Sequence, residues 1–279
     1  MKRFTKLTII FAFAVLPSLL LAQKDDIYDY NHSLKFANYL FENGDYEFAA
    51  KEYYRIFAIE TTATDTLINT RFAQSLFYSR QYQKLQTILD TKFQEKGIPC
   101  YIKSTYLKSI ILSSSTFELA TTIGGDRCFT EDEQSYYILA NKLLHYQYTE
   151  AKSYYHQYEN LSTLSSFAPS IRAIEQARYK KPWLSFLMSA VVPGTGKAYC
   201  GFWKDGLFSF FMIGISSWQA YSGFHNKGVS SVYGWVGASL ATAFYAGNLY
   251  GSVKAANQYN YLIDHEIHHK AEAIFLLPD

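Results

Sequence analysis

The stretch that decides the fold runs from Phe36 to Tyr53 and reads FANYLFENGDYEFAAKEY. Its first apolar residues recur three and four apart, the spacing of one helix face: Phe36, Ala37, Leu40 and Phe41. Asn43-Gly44-Asp45 then interrupts the pattern, as turn residues do. A second apolar face begins with Ala49, Ala50, Tyr53 and Ile56. The stretch therefore predicts two helices joined by a tight turn.

The same pattern recurs along the chain. Four blocks are similar: 44–49, 80–85, 115–120 and 146–151. Their shared aromatic positions, 46, 82, 117 and 148, are 36, 35 and 31 residues apart. Ala37 and Ala73 each stand nine residues before such an aromatic, where two packed helices need a small side chain. These intervals are close to the ~34-residue period of a helical-hairpin repeat.

These features resemble the tetratricopeptide repeat family over residues 30–160. The resemblance implies antiparallel helix pairs stacked into an array at 23–178, whose concave surface binds a protein or peptide. The candidate binding residues are Tyr46, Tyr53, Tyr54 and Tyr82. A second interpretation applies to the Tyr-rich stripes, including Tyr154 and Tyr155: the rings pack between helices and keep their hydroxyls at the rim.

The composition changes near residue 180. All four Trp lie beyond this point, and the only formal charge between 207 and 250 is Lys227. A polar turn at 222–228 separates two apolar stretches, 206–224 and 229–251, each near the ~20 residues that a membrane helix needs. We therefore expect a transmembrane helical hairpin inside a domain at 179–260. A buried hairpin in a soluble all-α domain is the alternative, since Ser and Gly dilute the hydropathy.

Small residues form a stripe through the second apolar stretch: Gly234, Ala238, Thr242 and Ala246. Spacing of four places them on one side of a helix, where two membrane helices approach closely. The stripe predicts helix–helix association.

The apolar part of 183–193 is too short to cross a bilayer, so we expect it to lie in the interface or to re-enter. It leads into Pro193, Gly194, Gly196, Tyr199 and Gly201. These residues resemble the Pro-Gly-x-Gly-x-x-Tyr-x-Gly element that opens small two-helix bacterial membrane domains of the TM2 and DUF5683 kind, which implies a membrane location. Lys197 replaces the Gln common there. A phosphate-binding loop is excluded, because Val191 and Ala198 stand where that loop needs Gly and Ser or Thr.

Residues 1–22 have the parts of a secretory signal. Lys2, Arg3 and Lys6 precede an uncharged run that ends near Ala22, and its apolar core of about 15 residues is short for a membrane span. We expect cleavage after Ala22, with an uncleaved anchor as the alternative. Both place the repeat domain outside the cytoplasm, at a membrane of the cell envelope, and in the periplasm of a Gram-negative cell.

Three cysteines are too few for a disulfide scaffold. Export allows a disulfide between Cys100 and Cys128, and two buried thiols are the alternative. Cys200 lies in a different kind of segment, and we expect it to be unpaired.

Residues 261–279 are expected to be a polar tail. His265, His268 and His269 share a helix face there and are the candidates for binding Zn²⁺ or another transition metal. A solvated helix end is the alternative interpretation. No pattern nominates catalytic residues, and no motif indicates a cofactor.

The charge balance, 26 Lys and Arg against 24 Asp and Glu, is not the strongly basic one of a nucleic-acid-binding protein. The sequence thus predicts an all-α fold: a tetratricopeptide-like array followed by a transmembrane hairpin. The expected function is that of a non-enzymatic, membrane-anchored adaptor for a protein or peptide. The alternative is a subunit of a membrane transport or assembly complex. A metal-dependent enzyme using the three histidines is a third hypothesis.

Overall fold

The computed structural model describes residues 29–59, 66–94, 97–113, 123 and 126–277. All regular structure in these residues is helical, which confirms the prediction of an all-α chain. The expected signal at 1–22 and the third repeat block at 115–120 lie outside the described residues.

The described helices form two compact units, and the chain divides near residue 129 rather than at 178, the predicted end of the array. The first unit contains α1 (Tyr30–Glu42), α2 (Tyr46–Ile59), α3 (Thr66–Tyr78), α4 (Tyr82–Lys92) and α5 (Cys100–Ser113). The second contains α6 (Glu131–Leu144), α7 (Tyr148–Gln157), α8 (Ala168–Gln176), α9 (Pro182–Val191), α10 (Thr195–Tyr199), α11 (Trp203–Lys227) and α12 (Val232–Phe275).

Three helical hairpins, α1–α2, α3–α4 and α6–α7, share one turn. Two residues before each repeated aromatic, the backbone is left-handed, at Gly44, Arg80 and Tyr146, with φ of 81°, 59° and 59°. The next residue donates its N–H five residues back at 2.9 Å: Asp45 to Leu40, Gln81 to Leu76, and Gln147 to Lys142. This is the Schellman ending of a helix. The three described blocks of the predicted repeat therefore have the same backbone turn.

Large apolar side chains fill the interior of the first unit. Those that are fully buried include Tyr53, Phe72, Leu76, Leu85 and Ile102. Small side chains occupy other core positions, and Ala37, Ala49 and Ala73 are completely buried. Burying one large apolar side chain contributes roughly 1.5–3 kcal/mol. This interior has the composition typical of a helical domain in water.

A disulfide joins Cys100, at the start of α5, to Cys128, with their Cα atoms 5.1 Å apart. Lys103 lies one helical turn after Cys100 in α5 and forms an ion pair with Asp126. The Cys128 N–H donates to Asp126 Oδ1 at 3.0 Å. Burial alone would raise the pKa of Asp126, but the Lys103 ammonium and the Cys128 N–H outweigh it and hold that pKa below its usual value. The bridge and the ion pair together fasten 126–128 to α5.

The longest element, α12, runs without a break through both predicted boundaries, 251 and 260. The expectation of a separate polar tail at 261–279 is therefore corrected: residues up to Phe275 continue the helix, since 252–275 holds neither Gly nor Pro. This part of α12 buries Ile267, Ala271 and Phe275. The Phe275 ring lies 6.2 Å and 6.4 Å from the rings of Tyr136 and Tyr137 on α6.

A second set of contacts holds this end of α12. The Tyr148 hydroxyl donates to the Asp264 carbonyl at 3.0 Å, and the Tyr179 hydroxyl donates to the Asp264 carboxylate at 2.6 Å. Burial, reinforced by Asp264, raises the pKa of both phenols. The α6–α7 hairpin therefore belongs to the same unit as the C-terminal helices, which explains why the chain does not divide at 178.

Candidate functional site

Large apolar side chains are exposed along α9, α11 and the first half of α12. The exposed fraction is 58% for Phe211, 62% for Ile215 and 70% for Trp218. Others in this set are Trp183, Leu187, Val191, Leu207, Phe208, Val232, Tyr233, Trp235, Val236 and Leu240. Single exposed apolar residues are ordinary, but so large a set in one segment is unusual for a surface that faces water. We call this set the apolar surface.

The interior behind the apolar surface is small and polar. Its buried side chains include Ser185, Ser189, Ser209, Ser216, Asn248 and Ser252. Glycines complete it at the helix contacts described below. Membrane helices associate through small and polar residues, because moving a large apolar side chain from lipid to a helix interface yields no hydrophobic free energy.

Three polar side chains in and beside the apolar surface, those of Trp235, Thr242 and Tyr245, are hydrogen-bonded inside the protein. The Trp235 indole N–H donates to the Val229 carbonyl at 2.9 Å. The Thr242 hydroxyl donates to the Ala238 carbonyl at 2.9 Å, one turn back in its own helix. The Tyr245 hydroxyl donates to the carbonyl of Ala190 at 2.9 Å. Such internal pairing is what a hydrocarbon environment demands of polar groups.

The helices α11 and α12 approach each other at glycines. A Cβ added at Gly223 would meet the Gly234 backbone, and one added at Gly237 would lie 2.5 Å from the Ala220 nitrogen. Of the predicted small-residue stripe, Gly234 is buried in this contact and Ala238 is half-buried, whereas Thr242 and Ala246 are exposed. Gly237 was not predicted, because a stripe defined by spacing of four passes over it.

The Pro193–Gly201 element forms a second close contact. Gly194 has φ +88°, and a Cβ there would collide with the Gly206 carbonyl at the start of α11. A Cβ on Gly196 would collide with the Ser185 carbonyl of α9. Gly201 also has a positive φ, +86°, in the turn before α11. The glycines of the element therefore let α9, α10 and α11 touch along their backbones.

A buried hydrogen-bond network ties the element to α12. The Asn248 side chain accepts from the Gly194 N–H at 3.0 Å and donates to the Ser189 carbonyl at 3.2 Å. The Ser189 hydroxyl accepts from the Gly196 N–H at 2.9 Å and from the Ser252 hydroxyl at 2.5 Å. Sequence reasoning missed these residues. Their signal is Ser185 with Ser189, and Asn248 with Ser252, each pair four apart in an apolar stretch.

Tyr199, the aromatic of the element, packs beside Cys200, which is buried and unpaired. The Lys180 ammonium lies 4.4 Å from the Tyr199 ring centroid and 5.3 Å from that of Tyr259. The lysine thus makes cation–π contacts at the edge of the C-terminal helices.

Two cavities open beside this element. One, of about 390 Å³, is almost wholly apolar and is lined by Pro193, Thr195, Trp203, Leu207 and Phe210 among others. The other, of about 350 Å³, is lined by two lysines, the half-buried Lys197 and the exposed Lys254. We call the second one the lysine cavity.

The four candidate partner-binding tyrosines have different environments. Tyr53 is fully buried, its hydroxyl donates to Asn38 Oδ1 at 2.6 Å, and burial raises its pKa. Tyr46 and Tyr82 are half-buried against neighbouring rings. Only Tyr54 is exposed, at 46%. Exposed aromatics of α1 and α2 that were not among the candidates are Phe36, Tyr39 and Phe48.

The three candidate metal-binding histidines do not converge. His265 and His269 are exposed neighbours with ring centroids 5.7 Å apart. His268 stacks on the Tyr146 ring at 5.1 Å. Within the described ranges, no group of three His, Cys, Asp or Glu side chains is placed to hold a metal ion.

Comparison of the chain with protein-family models, curated proteins and solved structures finds no significant match. Among the described helices, none combines the length and the mean hydropathy expected of a membrane-crossing segment.

Proposed function

We propose that this protein is a non-enzymatic adaptor of the cell envelope, attached to a membrane through its apolar surface. The observation that carries the proposal is the inverted packing of α9, α11 and the first half of α12. Trp218, Phe211 and Ile215 are outside, while Ser189, Asn248 and Ser252 are inside. In water, this arrangement would leave large apolar side chains exposed to solvent, which is unfavourable. It would bury small polar side chains, whose burial contributes little hydrophobic free energy.

The disulfide supports a location outside the cytoplasm. Bridges such as Cys100–Cys128 persist in oxidising compartments and are rare in the reducing cytosol. The basic and apolar start of the chain is the second support, since it has the composition of a secretory signal.

The helical hairpins supply the binding half of the proposal. Their common turn fits a tetratricopeptide-like array, whose stacked helices present an extended surface. Exposed aromatic side chains on α1 and α2 offer amphipathic contact area to a protein or peptide. They are Phe36, Tyr39, Phe48 and Tyr54.

Vesicle flotation with matched variants tests the attachment. Phe211→Gln with Ile215→Gln removes side chains that are 58% and 62% exposed. Phe48→Gln with Tyr39→Gln removes two on the first unit that are also 58% and 62% exposed. Because each apolar side chain buried in lipid contributes roughly 1.5–3 kcal/mol, the first pair should lower vesicle binding by more than about tenfold, and the control pair should keep it. Equal binding of both pairs would contradict the proposal.

Site-specific photo-crosslinking in cells tests the adaptor role in the full chain. A photoreactive residue at Tyr54 should yield one discrete protein adduct, and one at the exposed Tyr261 should yield none. Adducts of the same pattern from both sites would show that Tyr54 is not part of a binding surface.

A subunit of a membrane transport or assembly complex is the second candidate. It is favoured by the exposed half of the small-residue stripe, Thr242 and Ala246, where a partner helix has room to approach. A discrete adduct from Ala246, with none from Tyr54, would select this candidate.

A further inference from the structure

The lysine cavity lies where three elements meet. Lys197 comes from α10, Asp205 and Phe208 from the first turns of α11, and Lys254 with Gln258 from α12. Its volume, about 350 Å³, exceeds that of a phosphate group with several waters. Phe202 and Phe208 form its apolar wall.

Both lysines keep donor capacity for a ligand. Lys197 is half-buried, and its ammonium donates one hydrogen bond, to the Ser209 hydroxyl at 2.8 Å. An ammonium has three donors, so two remain. Neither Lys197 nor Lys254 forms an ion pair with a carboxylate of the described residues, although Asp205 lines the same cavity. The residues that line the cavity therefore carry two positive charges and one negative charge, and Lys197 keeps two N–H groups for a ligand.

The Lys197 side chain has a defined path. A Cβ added at Gly251 would lie 2.9 Å from its Cε and 3.1 Å from its Nζ. The glycine thus leaves space for the lysine to cross α12 and enter the cavity. Lys197, which stands where the similar membrane-domain element commonly has Gln, thus has a structural role.

The cavity also lies where the uncharged parts of α11 and α12 end. On α11, no formal charge follows Asp205 until Lys227, and on α12 Lys254 is the first formal charge. If the apolar surface lies in lipid, this level is that of the phosphate groups.

We propose that the lysine cavity binds a phosphate-bearing anion, with Lys197 and Lys254 as its cationic ligands and the Gln258 amide beside them. The anion is either a free phosphate compound or the headgroup of an anionic lipid. Ammonium groups make charge-assisted hydrogen bonds to phosphate oxygens, and the apolar wall accommodates the carbon part of the ligand. The lipid form rests on the proposed membrane attachment, whereas the binding of a free phosphate does not.

The first arm of the test measures free phosphate. Full-length protein in non-ionic detergent is titrated with inorganic phosphate and with glycerol 3-phosphate by calorimetry. Losing a hydrogen bond to a charged group weakens binding about tenfold, so Lys197→Gln and Lys254→Gln should each raise Kd by about that factor. Lys227→Gln removes the same charge at the exposed far end of α11 and should leave Kd unchanged.

The second arm measures lipid. Flotation compares vesicles of phosphatidylcholine alone with vesicles that also contain phosphatidylglycerol. The headgroup is identified as the ligand if the wild type prefers the anionic vesicles and Lys227→Gln keeps this preference. Lys197→Gln and Lys254→Gln should both lose it. Phosphate binding without that preference identifies a free phosphate compound instead. If no vesicle floats the protein, membrane attachment fails while the first arm still decides the cavity.

Gly251→Ala is the geometric control, because it displaces Lys197 without changing the charge. It should weaken whichever anion binds, and Gly247→Ala, which has open space around its Cβ, should not. The proposal is overturned if neither arm shows binding, or if Lys227→Gln weakens binding as much as Lys254→Gln does.

Discussion

The first unit and the helices that carry the apolar surface differ in which large side chains they bury. In the first unit Phe72 and Leu76 are inside. Behind the apolar surface Asn248 and Ser252 are inside, and Trp218 is outside. Both regions are helical, so secondary structure alone does not distinguish them. The difference teaches that the surroundings, water for one region and lipid for the other in our proposal, decide which side chains a helix buries.

Truncating a large side chain in each region gives the largest expected contrast. Phe72→Ala leaves a cavity in the first unit and should lower the free energy of unfolding by about 3–5 kcal/mol. Trp218→Ala removes a side chain that is 70% exposed, and surface changes usually stay within about 0.5 kcal/mol. Urea unfolding followed by circular dichroism in detergent measures both. Similar losses would show that the two regions share one burial rule.

Removing the disulfide should lower the stability of the first unit and leave that of the second unchanged. Its 28-residue separation corresponds to roughly 3–4 kcal/mol in the chain-entropy model, so Cys100→Ser with Cys128→Ser should destabilise the first unit by that amount. All four Trp lie beyond residue 180. The urea midpoint of unfolding recorded by Trp fluorescence should therefore stay unchanged. The midpoint recorded by circular dichroism should move to a lower urea concentration. Wild-type protein with reductant is the control and should match the double variant. A shift of both signals by the same amount would contradict this account.

The polar network predicts a smaller loss in the second unit. Asn248→Ala leaves the Gly194 N–H without its partner, and an unpaired buried group costs about 1–3 kcal/mol. Trp fluorescence reports this transition. The control is Asn226→Ala, an exposed residue whose side-chain hydrogen bond is long, 3.5 Å. If the two variants lose equally little, the network does not hold the element to α12.

The smallest expected effect is a local response of α5 to acid through Asp126. The folded pKa of Asp126 lies below its unfolded value of about 3.9. The ion pair with Lys103 therefore contributes stability above about pH 4, and this is lost as the pH falls through the folded pKa. Hydrogen exchange of the α5 amides, with each rate taken relative to the intrinsic rate at that pH, should accelerate over that range in the wild type.

Asp126→Asn is the matched control for the acid experiment. Its α5 amides should exchange faster than the wild type at pH 7 and show little further change on acidification. The amides of α11, where no carboxylate follows Asp205, should not respond in either protein. Equal acceleration in α5 and α11 would mean that the acid response is not local to Asp126.

Residue spacing predicted the helical fold and the turn at Gly44, because helix periodicity and turn chemistry are local properties. The same turn at Arg80 and Tyr146 uses non-glycine residues, for which the left-handed backbone is unfavourable, so only the repeat revealed it. The end of α12 was mispredicted because Ile267, Ala271 and Phe275 are sparse among charged residues, and their burial depends on α6, more than 100 residues earlier.

The contacts of the candidate site could not be predicted from the sequence. The glycines of the Pro193–Gly201 element were identified from a resemblance, whereas their partners Asn248 and Gly206 depend on how distant helices cross. Lys197 was a departure from a pattern, and only the structure shows that it lines the same cavity as Lys254. Sequence spacing shows which face a residue occupies and leaves open what lies against that face.

The most direct test of the membrane claim uses Trp218 as a probe. A variant in which Trp183, Trp203 and Trp235 are replaced by Phe keeps Trp218 as the single tryptophan of the chain. Our account predicts that vesicles with brominated acyl chains quench its fluorescence strongly, and that aqueous iodide quenches it weakly. Strong quenching by iodide with no quenching by the brominated chains would place Trp218 in water and contradict the account.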